Sequence, residues 1–408
     1  MKDHCRNCNS ENLSEVLNLG LQPPSNLFLT NLNQPYIEHS MRFGFCPACG
    51  LAQLLSPPPS QSIRSPHGWL SYNEPEAHLD DLVSALLAKS APNSQTKILG
   101  ITYKDDSTLA RFRQKSNARC QRLDLKTDLE IHDPLAGLET IQAHIGPARA
   151  SAIYKYQGAS DILIARHLLE HAHEPVDFLK ACQILTNPGG IMVFEVPDCS
   201  KMLEGLDHCF LWEEHIVYFN ARTLRGFFEQ AGFHDVEILL YPNSMEDSLV
   251  AVVKNTAADS LPSKAAPEEI KSLTRFGAAF QERAGAMQDY LNELRQSGET
   301  AAAFGAGHLT LKFINYYGLQ PFLQCIIDDN PNKQGMFMVG SGLPILPSSH
   351  LREAKISLCL LGLNPESEAK VLQNNHAYIT EGGMFLSVFS SSSRSINNAL
   401  THGHIRKS

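Results

Sequence analysis

Apolar residues recur at helical spacing at Leu79, Leu82, Val83, Leu86 and Leu87, which predicts an amphipathic helix over 76–88. Short continuous apolar runs at 97–101, 161–165 and 191–196 predict buried strands. A helix over 176–185 stops at Asn187-Pro188-Gly189-Gly190, a strong turn, and the strand at 191–196 ends at Pro197. An amphipathic helix over 221–231 is closed by Gly232, and strands at 236–240 and 249–253 form an expected antiparallel pair at the sheet edge. After an Ala-, Ser- and Pro-rich linker at 255–267 comes a long helix over 267–296. A strand at 300–304 then feeds Gly305-Ala306-Gly307, a helix over 308–317, and a strand at 323–327 that ends at Asp328; 356–363 and 384–389 are the last strands. Strands alternating with helices predict doubly wound α/β units.

Ahead of these units the pattern changes. Cys5-Arg-Asn-Cys8 and Cys46-Pro-Ala-Cys49 form a CxxC…CxxC pair. Two tight turns that each offer two thiolates make a closed tetrahedral zinc site, so Cys5, Cys8, Cys46 and Cys49 are expected to hold structural Zn2+. A redox dithiol or a disulfide fits two separated pairs less well. A module of roughly 70 residues has a thin core, which bound metal offsets. Pro57-Pro58-Pro59 marks its exit. The expected fold class is therefore α/β, with an N-terminal zinc-binding module plus two Rossmann-like α/β domains. The divisions are 1–72 for the module, 73–255 for the middle domain, 256–390 for the C-terminal domain and 391–408 for a flexible tail.

The chain has 408 residues, 43% of them apolar and 19% charged, which fits several packed cores. Its net charge of −9 argues against a nucleic-acid partner. No apolar run approaches the ~20 residues of a membrane span. The first residues lack a secretory pattern, so a cytoplasmic location is expected. The oligomeric state is open.

Polar, ionisable residues gather just past the apolar runs: His167, Glu170 and His171, then Glu195, then Glu214 and His215. In open α/β sheets ligands bind where strands end, and a rim of imidazoles and carboxylates suits proton abstraction. In the C-terminal unit a strand, the glycine turn Gly305-Ala306-Gly307, a helix, a strand and Asp328 read as a Rossmann-like half.

These residues resemble the sugar-nucleotide C-methyltransferases. The similar phrases are the two CxxC pairs, LNLGLQPPSNLFL, CPACGLAQL, ARHLLEH, PGGIMVFEVP, EEHIVYF, FGAGHLTLKFINYYGL and DDNPNKQG, in one order nearly end to end. The resemblance implies a class I methyltransferase domain in the middle, with S-adenosylmethionine as methyl donor. It also implies an NDP-keto-deoxysugar substrate whose nucleotide is held by the C-terminal domain, through Gly305, Ala306, Gly307 and Asp328. Glu214 and His215 sit where the family keeps the pair that removes the proton beside the ketone. His171 and Tyr72 match residues near the sugar, and Glu195 belongs to the same rim. Gly100, Thr102 and Asp133 fall at cofactor positions.

The chain also departs from the pattern. The expected acid at the first strand end is Gly100, and the loop glycines are Thr102 and Asp106, with Tyr103 and Lys104 adding bulk between them. Asp124, Asp128 and Asp133 each stand as the acid for a cofactor ribose. Trp212 replaces a tyrosine two residues before Glu214, and a Trp cannot donate through a phenol. Methyl transfer, keto-sugar epimerisation or isomerisation without a donor, and non-catalytic binding of a sugar nucleotide or protein partner are the three readings this leaves.

Overall fold

The computed structural model describes residues 3–70, 74–256 and 258–402; Tyr72 lies outside the described residues. The N-terminal module is an antiparallel sheet of Ser14–Gln22, His39–Phe45 and Ala52–Leu55. Its fourth strand, Val217–Tyr218, arrives from the middle of the chain and pairs Tyr218 with Ala52 and Val217 with Gln53. A two-residue strand of the module, Phe28–Leu29, pairs with Phe337–Met338 near the C-terminus. The module is thus stitched to both later domains.

The middle domain is a six-stranded sheet in the order Val236–Tyr241, Ser248–Lys254, Thr186–Pro197, Ser160–Arg166, Lys97–Gly100, Arg119–Arg122. The last four are mutually parallel, and the first two form the expected antiparallel edge. The helix Ala221–Gln230 starts where Asn220 Oδ1 accepts from Thr223 N at 2.8 Å and Thr223 Oγ1 accepts from Asn220 N at 2.9 Å. It ends at Gly232, whose φ of +89° is open to glycine at little cost. The C-terminal domain is a parallel sheet in the order Ile345–Leu346, Ile326–Ile327, Ala301–Phe304, Leu358–Leu361, Met384–Ser387.

One apolar core runs from the module (Met41, Phe43, Leu54) through Phe276 and Met287 to Leu311 and Ile326 of the C-terminal domain. The module therefore shares a core with its neighbour instead of standing alone. Among the described residues no helix is long and apolar enough to cross a membrane.

Four sequence expectations change. The helix expected over 267–296 is two, Pro267–Ala278 and Phe280–Gln296, and the break follows Gly277, which presses on the Val16 carbonyl. The polar stretch after 118 supplies an edge strand, Arg119–Arg122, with mostly exposed side chains that carry no apolar signal. The stretch at 255–267 is no free linker: Ser263 N donates to Gln230 Oε1 at 2.9 Å and Ala265 N to Ala48 O at 2.9 Å. The tail expected from 391 also packs through the described part. Ser390 Oγ donates to Asp207 at 2.6 Å, Ser392 Oγ to buried Glu368 at 2.7 Å, and Ile396 is fully buried at the start of the helix Ile396–His402.

Candidate functional site

Two centres emerge, a cysteine cluster and a cleft. Backbone turns present the four thiols: Asn9 N donates to Cys5 O and Gly50 N to Cys46 O. The Sγ atoms of Cys5 and Cys49 lie 3.4 Å apart and those of Cys8 and Cys46 3.6 Å apart, with all four within 4.8 Å of one another. Zinc–sulfur bonds of about 2.3 Å need sulfurs roughly 3.8 Å apart in a tetrahedron, so the four cysteines fit the metal. With all four positions filled by thiolates, zinc held here would supply rigidity, and the sheet beside it carries the strand Val217–Tyr218.

That strand positions the chemistry. Leu54 N donates to Ile216 O and Ile216 N to Glu170 O, at 2.9 and 2.7 Å, so the 213–216 loop hangs between the module and the 167–171 turn. It faces a cleft of about 1160 Å³ lined by all three domains: Asn26 and His67 of the module, His167, Glu170, His171, Glu214 and His215 of the middle, His308 and Leu309 of the C-terminal domain. The His171 and His215 rings meet edge to face at 5.0 Å, His215 lies 4.9 Å from Trp212, and Trp212 stacks on His308 at 4.3 Å and 15°. Trp212, read from sequence as a lost tyrosine, is the seam between middle and C-terminal domains. His173 does not line the cleft; His171 and His167 do.

Burial pushes the His215 imidazole down to about 4, against the pull of Glu170, and pushes His171 well below its ordinary value, so both are neutral at neutral pH. Glu214 is reached by the Asn26 side-chain amide and not by His215. Burial, then the charges of Glu139 and Glu213, raise its carboxyl well above the ordinary range. The carboxylate beside the two imidazoles is Glu170, one of whose oxygens lies within 4.8 Å of a ring nitrogen of each. Glu170 is 1% exposed, and neither oxygen has a hydrogen-bond partner among the described residues, although His167 Nδ1 is 3.4 Å away. The acid–imidazole couple expected at Glu214–His215 is thus Glu170 with His171 and His215, while Glu214 is a separate group on the same cleft. Only the tertiary fold brings residue 170 beside residue 215.

Glu195 is corrected too. It is fully buried behind the rim, with Arg166 Nε at 2.5 Å and His78 Nε2 at 2.9 Å. His167, at φ +52° in the left-handed region, sits between Glu195 and Glu170. Burial opposes its charge, but the two carboxylates outweigh it and push His167 up to about 10. Glu195 therefore holds Arg166 and His167 in place and does not line the cleft.

The cofactor side of the sheet can be tested against S-adenosylmethionine. Thr102 is 1% exposed, extended at φ −126°, and its Oγ1 accepts from Lys104 N at 3.2 Å, so its backbone offers a ligand no surface. A Cβ on Gly100 would lie 2.8 Å from the Cβ of Asp105, so that glycine makes room for this chain's own carboxylate. Asp105 accepts from Ile101 N, Thr102 N and Arg166 N at 2.7, 2.8 and 2.9 Å. Arg166 NH1 donates to Lys104 O at 2.5 Å, and Asp106 pairs with Arg122 across the ends of two neighbouring strands. All three candidate ribose acids are engaged. Asp124 caps Thr127 N at 2.8 Å, Asp128 accepts from Tyr156 and Gln157 at 2.7 Å each, and Asp133 pairs with Arg64 at 2.5 Å. Gly100, Thr102 and Asp133 do not face the cleft, but Tyr103, Lys104, Asp106 and Ser107 of the same loop, Leu125 beyond the next strand and Glu139 do.

In the C-terminal domain Gly305 takes φ +96° and packs on Leu363, whereas open space faces Gly307, which precedes the helix His308–Tyr316. Asp328 accepts from Ala306 N at 2.8 Å and from Lys333 Nζ at 3.0 Å, so it braces the glycine turn. His308 and Leu309 reach the cleft; Gly305, Ala306, Gly307 and Asp328 stand behind them.

Comparison with known proteins gives three consecutive family matches. Residues 5–63 match a model described as "putative zinc binding domain", 76–238 a methyltransferase domain, and 248–389 a C-methyltransferase C-terminal domain. A search of curated proteins found no match. Solved structures resemble less than half of the chain. The Burkholderia thailandensis 1,6-didemethyltoxoflavin-N1-methyltransferase, solved with its substrate and S-adenosylhomocysteine, is 14% identical over 44% of this chain and 79% of its own, with a TM-score of 0.31. A SAM-dependent methyltransferase from Archaeoglobus fulgidus is 14% identical over 43% and 94%, at 0.28, and the CurJ carbon methyltransferase 14% over 44% and 54%, at 0.27. At these scores the structural likenesses say nothing of activity. The three family matches, in this order along the chain, support a methyltransferase of a C-methyltransferase family.

Proposed function

We propose that the interdomain cleft binds a carbonyl-bearing sugar carried on a nucleoside diphosphate, and that His215 removes the proton on the carbon beside the carbonyl. The observation that carries this reading is a neutral imidazole facing a cleft, next to the buried carboxylate of Glu170, whose other neighbour is His167 at 3.4 Å. A proton arriving on His215 is stabilised by that negative neighbour. Glu214, with one oxygen accepting from Asn26 and a carboxyl that keeps its proton above the usual range, is placed on the same cleft to donate a hydrogen bond to the enolate oxygen.

The substrate class is supported by the lining. Carboxyl groups such as Glu74, Glu139 and Glu246 offer hydrogen-bonding partners for sugar hydroxyls, and the start of the helix His308–Tyr316 suits a pyrophosphate. Trp212 and His308 give a flat stacked edge on which a ring can rest.

The test is calorimetry and turnover with an NDP-keto-deoxysugar. His215→Ala is expected to abolish loss of the hydrogen beside the carbonyl while keeping Kd within about two-fold, because a group used only in the transition state adds little to ground-state affinity. Undiminished turnover in that variant overturns the assignment.

A further inference from the structure

Backbone bonds set two loops side by side on the cleft. His171 ends the short turn Leu169–His171, where its N–H donates to Leu168 O at 3.1 Å, and Ile216 N donates to Glu170 O at 2.7 Å. One loop thus brings a carboxylate and an imidazole, the other the imidazole of His215. A Glu170 oxygen and one ring nitrogen from each histidine lie within 4.8 Å of one another, and all three residues line the cleft. The two rings stand at 86° to each other with centroids 5.0 Å apart.

Two of these groups are buried and poorly satisfied. Glu170 is 1% exposed and His171 3%, and neither a Glu170 oxygen nor His171 Nδ1 makes a hydrogen bond among the described residues. His167 Nδ1 approaches Glu170 Oε1 only to 3.4 Å. Polar atoms buried in this way normally have a partner, in the protein or in a ligand. Two imidazole nitrogens and a carboxylate oxygen are the donor set of open zinc, cobalt and ferrous sites, where three protein ligands leave a position for an outside oxygen. Bonds of about 2.0–2.2 Å to one ion set its donors about 3–4 Å apart, which small side-chain rotations reach from here. Imidazole donors select such ions over Mg2+ and Ca2+, which prefer oxygen alone.

We infer that Glu170, His171 and His215 form a second metal site, apart from the four cysteines, which takes a divalent transition ion and shuts off proton removal while it is occupied. The binding half stands on the geometry of the three side chains. The inhibitory half rests on the proposed role of His215: an ion bound to its nitrogen uses the lone pair that would accept the hydrogen beside the carbonyl. Ion and proton compete for one atom, and the ion's remaining coordination position opens onto the cleft.

The experiment takes the full chain with zinc already on its cysteines and adds Co2+. Absorption spectra, elemental analysis and hydrogen loss from an NDP-keto-deoxysugar in D2O are read on the same samples. The expected result is one cobalt per chain, with visible bands of nitrogen and oxygen ligation, no thiolate-to-cobalt charge transfer, and undisturbed zinc. Glu170→Gln and His171→Ala are each expected to lose the cobalt while keeping the zinc, which shows that the module is still formed. His173→Ala, off the cleft, is expected to keep both. Hydrogen loss in the parent is expected to fall in proportion to cobalt occupancy. No cobalt beyond the zinc site, or cobalt retained by both Glu170→Gln and His171→Ala, overturns the site. Cobalt bound there with hydrogen loss undiminished overturns the inhibition. A parent that shows no hydrogen loss even without cobalt fails the proposed function, and the cobalt count still decides the metal site.

Discussion

Lys312→Met tests how the 213–216 loop is held. Lys312 is fully buried, and its Nζ lies 2.5 Å from Oε2 of Glu213, which is 2% exposed and immediately precedes Glu214. Glu213 also accepts from Ser25 N at 2.5 Å, and its two oxygens lie 2.9 and 3.0 Å from Ser25 Oγ. The ion pair and these hydrogen bonds tie the helix His308–Tyr316, the 213–216 loop and the N-terminal module. Burial favours the protonated form of Glu213, yet Lys312 and the Ser25 N–H hold it below the usual carboxylate value. Removing one partner of a buried pair costs about 3–5 kcal/mol, because the remaining charge is stranded. The Ser25 hydrogen bonds survive, so the lower end, about 3 kcal/mol, is expected here. Urea titration followed by tryptophan fluorescence reads it, since Trp212 adjoins Glu213 and Trp69 is the only other tryptophan. Lys312→Met combined with Glu213→Gln is expected to recover much of the loss by removing the stranded charge. A single variant within about 1 kcal/mol of the parent, or a double variant no better than the single, refutes the tie.

Two further outcomes follow from the same contacts. Cys46→Ser is expected to drop metal content below one zinc per chain and to lower Tm, by roughly 2–4 °C for each kcal/mol of metal-linked stability lost; elemental analysis and a thermal scan check both. Stability is expected to fall with acid between about pH 6.5 and pH 4. His208, fully buried with Nδ1 and Nε2 each 2.8 Å from a partner, is pushed down to about 4 by burial. Above pH 6.5 it is neutral folded and unfolded alike. Below that only the unfolded chain gains the proton, at a cost to the fold of about 1.4 kcal/mol per pH unit until the folded value is reached. His208→Gln should remove its share of that slope in urea midpoints measured across this range, and an unchanged slope contradicts it.

Much of this architecture is written locally in the chain. The cysteine spacing forces two turns, and the apolar runs at 161–165 and 249–253 have one stable place, inside a sheet. The Glu214–His215 segment is legible as part of a cleft rim because ionisable residues sit beside apolar strands. What the sequence hides is pairing across distance. Glu170, not Glu214, neighbours His215, since the choice is made by Ile216 N bonding to Glu170 O. Glu195 looks like a rim residue, yet Arg166 and His78 close over it. Arg119–Arg122 carries no strand signal because its register with Lys97–Gly100 is a backbone matter. The tail looks polar and mobile, but Asp207 and Glu368 supply acceptors for its serines.

The most direct measurement of the account is the hydrogen on the sugar carbon beside the carbonyl, followed by NMR in D2O with the parent chain and with His215→Ala. The signal is expected to fade with the parent and persist with the variant. Persistence with both, while the sugar nucleotide is bound, contradicts the central claim.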